Sequence, residues 1–188
     1  MQSKIKNEFE EHFKACKKTI EICNSDIESA SNICITSLKN GKKILLFGNG
    51  GSAADAQHIA AEIIGRYKTE RKGLPAIALT TDSSILTSLG NDFGYSEIFK
   101  RQVEALALPG DTLIGISTGG SSMNVINALD VAKDMQCTTI GLSGKDGGEF
   151  NTICDVNIVV QSQDTARIQE MHILIGHTIC HLIDEAYI

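Results

Sequence analysis

The sequence has no Cys-x-x-Cys pair, no excess of positive charge, no internal repeat and no hydrophobic run approaching a bilayer's width. Each absence removes a class of protein. The six cysteines (Cys16, Cys23, Cys34, Cys137, Cys154 and Cys180) are scattered, which suits neither a disulfide framework nor a zinc ribbon and predicts reduced, mostly buried, small apolar residues. A formal charge of −6 and a pI near 5.3 argue against a general affinity for nucleic acid or for an anionic membrane surface, both of which need a basic footprint. Any anionic ligand must therefore be held by local groups. Met1 to Glu11 carry no apolar run, so no secretory signal is expected and the cytoplasm is the expected compartment.

What is present is 188 residues, 42% of them apolar, enough for one full-sized core and for a single domain over 1–188. Residues 1–40 read as an N-terminal helical arm and 41–188 as an α/β core. The arm has neither proline nor glycine, and Ile5, Phe9, Phe13, Ile20, Ile27 and Ile35 recur at helical spacing. Asn24-Ser25-Asp26 offers a new N-cap at which the arm could break.

Beyond the arm, short apolar runs alternate with amphipathic stretches, the pattern of a parallel sheet covered by helices. Strands are expected at Lys43 to Phe47, Ala76 to Leu79, Thr112 to Ile116, Thr138 to Leu142 and Val156 to Val160. Helices are expected at Ser52 to Tyr67, Ser83 to Leu89 with Tyr95 to Ala105, Ser122 to Met135, and Thr165 to Tyr187. Five parallel strands with right-handed crossovers make a three-layer doubly wound α/β sandwich, in which ligands bind beyond the carboxyl ends of the strands. The last helix is apolar on more than one face, and with the long arm this predicts a homo-oligomer built on helix packing.

Two loops at that sheet edge suit an anion. Gly48-Asn49-Gly50-Gly51-Ser52 runs from the first strand straight into a helix, whose N-terminus offers unpaired N–H groups. Ser117-Thr118-Gly119-Gly120-Ser121-Ser122 follows the third strand, and its hydroxyls and glycines suit a phosphate monoester held without lysine or arginine. A dinucleotide site fits less well. Gly48-x-Gly50-x-x-Ala53 satisfies the Rossmann pattern only loosely, Asp82 stands late for the ribose-binding acid, and the serine-rich loop stays unexplained.

On the helix after the first loop, His58 and Glu62 are four apart and share one face. The last helix carries Gln169, His172, His177 and His181. Gln169 and His177 fall within a quarter turn of each other, whereas His172 points away, so His172 and His181 read as core or surface histidines. Asn91-Asp92-Phe93-Gly94 adds an amide and a carboxylate in what reads as a turn after the second strand.

With these residues in view, the chain resembles the SIS (sugar isomerase) superfamily, and within it the sedoheptulose 7-phosphate isomerases. The match is carried by Gly48-Asn49-Gly50-Gly51-Ser52, Asp55-Ala56-Gln57-His58-Ile59-Ala60-Ala61-Glu62, Gly90-Asn91-Asp92-Phe93-Gly94, Gly115-Ile116-Ser117-Thr118, Gly144-Lys145-Asp146-Gly147-Gly148 and Arg167-Ile168-Gln169-Glu170-Met171-His172. The resemblance implies an aldose–ketose isomerase that makes D-glycero-D-manno-heptose 7-phosphate, the first step of ADP- or GDP-heptose synthesis for lipopolysaccharide or capsule. It implies a homotetramer with sites at subunit interfaces. Substrate contacts are implied at Asn49, Gly50, Gly51, Ser52, Glu62, Asn91, Asp92, Ser117, Thr118, Gly119, Ser122 and Gln169, and an acid/base pair at Glu62 and His177. One zinc ion per subunit is implied on His58, Glu62, Gln169 and His177.

The chemistry agrees with those residue types. Moving a carbonyl from C2 to C1 needs a carboxylate base for the C1 proton and a group that exchanges protons on the two oxygens near neutral pH. Gln169 and His177 lie about 12 Å apart along an ideal helix, so joint ligation requires leaning side chains, a bent helix, or a neighbouring subunit. The family commonly reads Ser-Thr-Ser-Gly-Asn-Ser in the phosphate loop, and here Gly119 and Ser121 replace the third and fifth residues. Paralogues that bind the replication initiator share Thr69-Glu70-Arg71 and Leu74-Pro75-Ala76, but lack the glutamate and the late histidine that this chain keeps. A sugar-phosphate sensor would need the loops and no acid/base pair.

Overall fold

The computed structural model describes residues 1–188. Its elements are α1 (Gln2–Lys39), β1 (Ile44–Gly48), α2 (Gly51–Ile64), β2 (Ala76–Ala78), α3 (Ser83–Asp92), a 3-10 turn (Tyr95–Glu97), α4 (Lys100–Leu106), β3 (Thr112–Ile116), α5 (Met123–Asp134), β4 (Thr138–Gly144), α6 (Phe150–Ile153), β5 (Val156–Val160) and α7 (Thr165–Glu185). All five strands pair in parallel in the order β2-β1-β3-β4-β5, the three-layer doubly wound arrangement expected of the SIS fold. Every residue of β1 and β3 is buried, which is why both read as unbroken apolar runs rather than as alternating ones.

Helices cover both faces of the sheet. On one side α1, α2 and α7 pack over Ile44, Leu46, Ile114, Ile116, Ile140 and Leu142; on the other α4 and α5 pack over Leu45, Phe47 and Leu113. Chain order reverses direction between β1 and β3, so the β1–α2 and β3–α5 loops flank the switch point where a crevice opens.

Several boundaries differ from the sequence reading, each for a local reason. The break at Asn24-Ser25-Asp26 does not occur: α1 runs unbroken because Thr19, Cys23, Ile27, Ala30 and Cys34 keep one face buried through that segment. Of the arm's periodic apolar residues only Ile27 is buried within the chain, while Ile5, Phe9, Phe13 and Ile20 face outward. The helix expected over Tyr95 to Ala105 is a short 3-10 turn followed by α4, and Asn91 and Asp92 lie in the last turn of α3 rather than in a turn. Four of the cysteines are buried and all six are unpaired, as their scatter suggests.

A buried ion pair ties the end of α7 to the end of α2. Asp184 accepts hydrogen bonds from the backbone N–H of Lys68 (2.7 Å) and Thr69 (2.9 Å) and from Arg71 Nε (2.7 Å). Arg71 in turn donates to the carbonyls of Glu62 and Ile63, which α2 leaves without an intrahelical partner. Burial alone would raise the Asp184 carboxyl, but these backbone and guanidinium donors together hold it below the ordinary carboxylate value. A group depressed in this way stabilises the fold fully above its unfolded value, near 3.9, and the contribution is lost as pH falls through the depressed one. Asp184→Asn should therefore cost about 3 kcal/mol at neutral pH, because it strands a buried guanidinium, and the difference from wild type should shrink below about pH 4. Urea unfolding across pH 3 to 7 measures both.

Candidate active site

The β1–α2 loop carries Asn49 and the α2 N-terminus. Asn49 is fixed by a reciprocal amide pair with the buried Asn124 of α5: its Nδ2 donates to Asn124 Oδ1 at 2.9 Å, and Asn124 Nδ2 donates back to Asn49 Oδ1 at 2.8 Å. Tyr95 Oη donates to the same Asn49 oxygen at 3.0 Å. The amide pair locks the two candidate anion loops to each other across the switch point. A small cavity of about 100 Å³ opens beside them, lined by Gly48, Asn49, Gly50, Thr80 and Tyr95 among others.

In the β3–α5 loop, Ser117 is buried and its Oγ lies 3.0 Å from Ser122 Oγ, while Thr118 and Gly119 are half-buried. Ser122 is the N-cap of α5, yet its side chain makes no capping bond, which leaves the first helical N–H groups available to a ligand beside the paired Ser117 and Ser122 hydroxyls. The backbone of the next loop packs directly behind. A Cβ at Gly120 would lie 2.0 Å from the Gly147 carbonyl oxygen, so only glycine fits, and Glu149 N–H donates to the Gly120 carbonyl at 3.0 Å.

The third component is a polar cluster between α2 and α7. His58, Glu62 and His177 present ligand atoms that all lie within 4.8 Å of one another, a group able to hold a metal ion. His177 Nε2 is 3.3 Å from His58 Nε2, and His58 Nε2 is 3.4 Å from Glu62 Oε1. Tyr67, in the connection after α2, stacks on the His177 ring at 5.1 Å between centroids. Partial burial, and then the neighbouring His58 charge, lower the His177 pKa, with Glu62 opposing, so the ring is biased towards its neutral form. The remaining histidines of α7 are structural: His172 is fully buried, donates Nε2–H to the Ser143 carbonyl at 2.9 Å and is held neutral by burial with its pKa pushed down to about 4, and His181 stands 3.6 Å from Glu185.

Not every residue expected at the site meets the trio within one chain. Gln169 packs its amide against the start of α2, where a Cβ on Gly51 would come within 2.5 Å of its Nε2. That position is seven residues, or roughly 10 Å along the helix, from His58. α7 is continuous over this span, so no helix break brings Gln169 to His177. Asn91 and Asp92 are exposed at the end of α3 and bond to each other at 2.8 Å. Sequence reading missed Asn124, Tyr95 and Tyr67. Asn124 had one visible signal, an amide in the first turn of the helix that the serine-rich loop opens.

Asp55 lies on the same face of α2 as His58 and Glu62, and its Oδ2 is buried without a hydrogen-bond partner. Burial pushes its carboxyl up to about 6, against the opposing His58 charge. Because the folded value lies above the unfolded one, the protonated acid is the form the fold favours, and stability is lost as pH rises from about 4 to about 6. Asp55→Asn should abolish that decline. The buried neutral His172 makes stability rise over the same range, so in thermal melts of chelator-treated protein the variant should gain stability relative to wild type as pH is raised from 4 to 7.

The SIS domain family model matches residues 8–144. The phosphoheptose isomerase of Aliarcobacter butzleri is 64% identical over 98% of this chain and 97% of its own length. The structures of phosphoheptose isomerases from Neisseria gonorrhoeae and Francisella tularensis superpose with TM-scores of 0.93 and 0.94, at 43% and 37% identity, each over 98% of both chains. These similarities establish that the chain belongs to the SIS domain family, among the phosphoheptose isomerases.

Proposed function

We propose that the protein interconverts sedoheptulose 7-phosphate and D-glycero-D-manno-heptose 7-phosphate through an enediol, supplying heptose for lipopolysaccharide or capsule. The observation that carries this reading is the convergence of Glu62 from α2 and His177 from α7 on one cluster, on the helix that the first anion loop opens. A sensor or an initiator-binding protein has no use for such a pair.

Phosphate would sit in the β3–α5 loop on Ser117, Thr118, Ser122 and the Gly119 N–H, neutral donors that suit an acidic protein. Asn49, Gly50, Gly51, Ser52 and Gln169 would orient the sugar hydroxyls, joined by Asn91 and Asp92. The Glu62 carboxylate takes the C1 proton as the C2 oxygen gains one, giving the enediol, and returns a proton to C2 as the C1 oxygen loses its own. His177, biased towards neutral, carries protons between the two oxygens.

His58, Glu62 and His177 fit a zinc ion. Two imidazoles and a carboxylate are a donor set of catalytic zinc, and two nitrogens each about 2.0–2.1 Å from one tetrahedral ion stand about as far apart as the two Nε2 atoms here. When bound, the ion supplies Lewis acidity to the reacting oxygens. Glu62 has a second carboxylate oxygen for proton transfer. The resemblance adds Gln169 as a ligand, which its position against Gly51 allows only across a subunit boundary.

The outward-facing Ile5, Phe9, Phe13 and Ile20 of α1, with Leu174 of α7, support a homotetramer that buries them. Light scattering should give the mass of four 20.2 kDa chains, and a Phe9→Asp/Phe13→Asp double variant should run as a smaller species. For the chemistry, NMR of wild type with sedoheptulose 7-phosphate in D2O should show an aldose anomeric signal with deuterium at C2. Glu62→Gln should lose about a thousandfold in kcat while still binding ketose, and chelation should lower turnover. Persistent turnover by Glu62→Gln would overturn the assignment.

A further inference from the structure

The Gly144-Lys145-Asp146-Gly147-Gly148 segment takes no part in the mechanism above, yet it is built against the serine-rich loop. A Cβ on Gly120 would strike the Gly147 carbonyl, and one on Gly148 would lie 2.4 Å from the Gly119 carbonyl oxygen, so the two loops interlock backbone to backbone. Lys145 heads that turn. It has φ of +60°, a left-handed conformation that a non-glycine residue seldom adopts. It is held there by its N–H donating to the Ser162 carbonyl at 3.1 Å and by the Gly147 N–H donating to the Gly144 carbonyl at 2.9 Å.

The consequence lies in the side chain. Lys145 runs along the bare face of Gly119, its Cδ 3.9 Å and its Nζ 4.0 Å from where a Gly119 Cβ would stand, beside the Ser121 hydroxyl at 3.5 Å from that same point. Lys145 is exposed and enters no ion pair, so its charge is free for a ligand. Glycine or asparagine would hold the same turn with less strain, and neither would carry a cation to the loop.

We propose that Lys145 is a substrate-binding residue whose ammonium neutralises the phosphate monoester dianion seated in the Ser117–Ser122 loop, supplying at Gly119 a contact that the loop's own side chains do not. The assignment rests on reading that loop as the phosphate site. As a point charge on a flexible stem, Lys145 strengthens ground-state and transition-state binding alike, so its removal acts on KM and not on kcat.

The test compares wild type, Lys145→Asn, Lys145→Met and Lys145→Arg in turnover of sedoheptulose 7-phosphate and in competitive inhibition by inorganic phosphate. In Lys145→Asn and Lys145→Met, KM and the phosphate inhibition constant should rise about fivefold with kcat held within about twofold, as expected for one partly exposed charge pair. Lys145→Arg should stay near wild type. Lys145→Asn should melt no lower than wild type, since asparagine tolerates the left-handed backbone, which separates lost binding from lost folding. If wild type turns over and both constants change by less than about twofold in Lys145→Asn and Lys145→Met, the lysine assignment falls alone. If wild type neither turns over the ketose nor is inhibited by phosphate, the reading of the loop falls and the lysine goes with it.

Discussion

The site depends on one buried contact, the Arg71–Asp184 pair. Side-chain exposures of 3% and 0% place it in the interior, where an ion pair persists only if its remaining hydrogen-bonding capacity is filled. Here it is filled by backbone. Asp184 takes two N–H groups from the segment after α2, and Arg71 caps the last carbonyls of α2, one of them belonging to Glu62 itself. The pair therefore fixes the rotation of α2 against α7. A Cβ on Gly176 would come within 2.4 Å of Ile59 Cδ1, so the two helices approach closely one residue before His177 and one residue after His58. Close approach and locked ends together bring an imidazole from one helix to a carboxylate and a second imidazole on the other.

Strand order does the corresponding work for the loops. Because β1 and β3 are adjacent while the chain winds outward in opposite directions from them, the β1–α2 and β3–α5 loops face each other instead of being covered by a crossover. The Asn49–Asn124 amide pair then sets their separation, and the glycine interlock of the β4 loop supports the second loop from behind. Helix N-termini and hydroxyls line both loops, groups that suit an anion without a basic surface in a chain of net charge −6.

The fold was legible in the sequence because its signals are local. Buried parallel strands appear as short β-branched and leucine-rich runs, and glycine loops follow two of them. The same locality explains the misses. The capping residues Asn24-Ser25-Asp26 offered α1 a way to stop, but a buried face that continues past them outweighed it. Phe9 and Phe13 look like core by spacing and are exposed in the chain, because periodicity reports that a face is apolar and not what covers it. Asn124, Tyr67 and Lys145 carried no spacing signal towards the residues they meet, since those contacts are long-range.

The sequence by itself determined the layer architecture, the two glycine-rich loops and the candidate pair Glu62 and His177, because glycine content, hydrophobic periodicity and titratable side chains are properties of short stretches of chain. Only the tertiary structure decided that His177 meets His58 and Glu62 while Gln169 is left at Gly51, and that Lys145 lies along Gly119. Those distances are set by how closely helices and loops pack across the sheet, and packing depends on residues that are far apart in the chain.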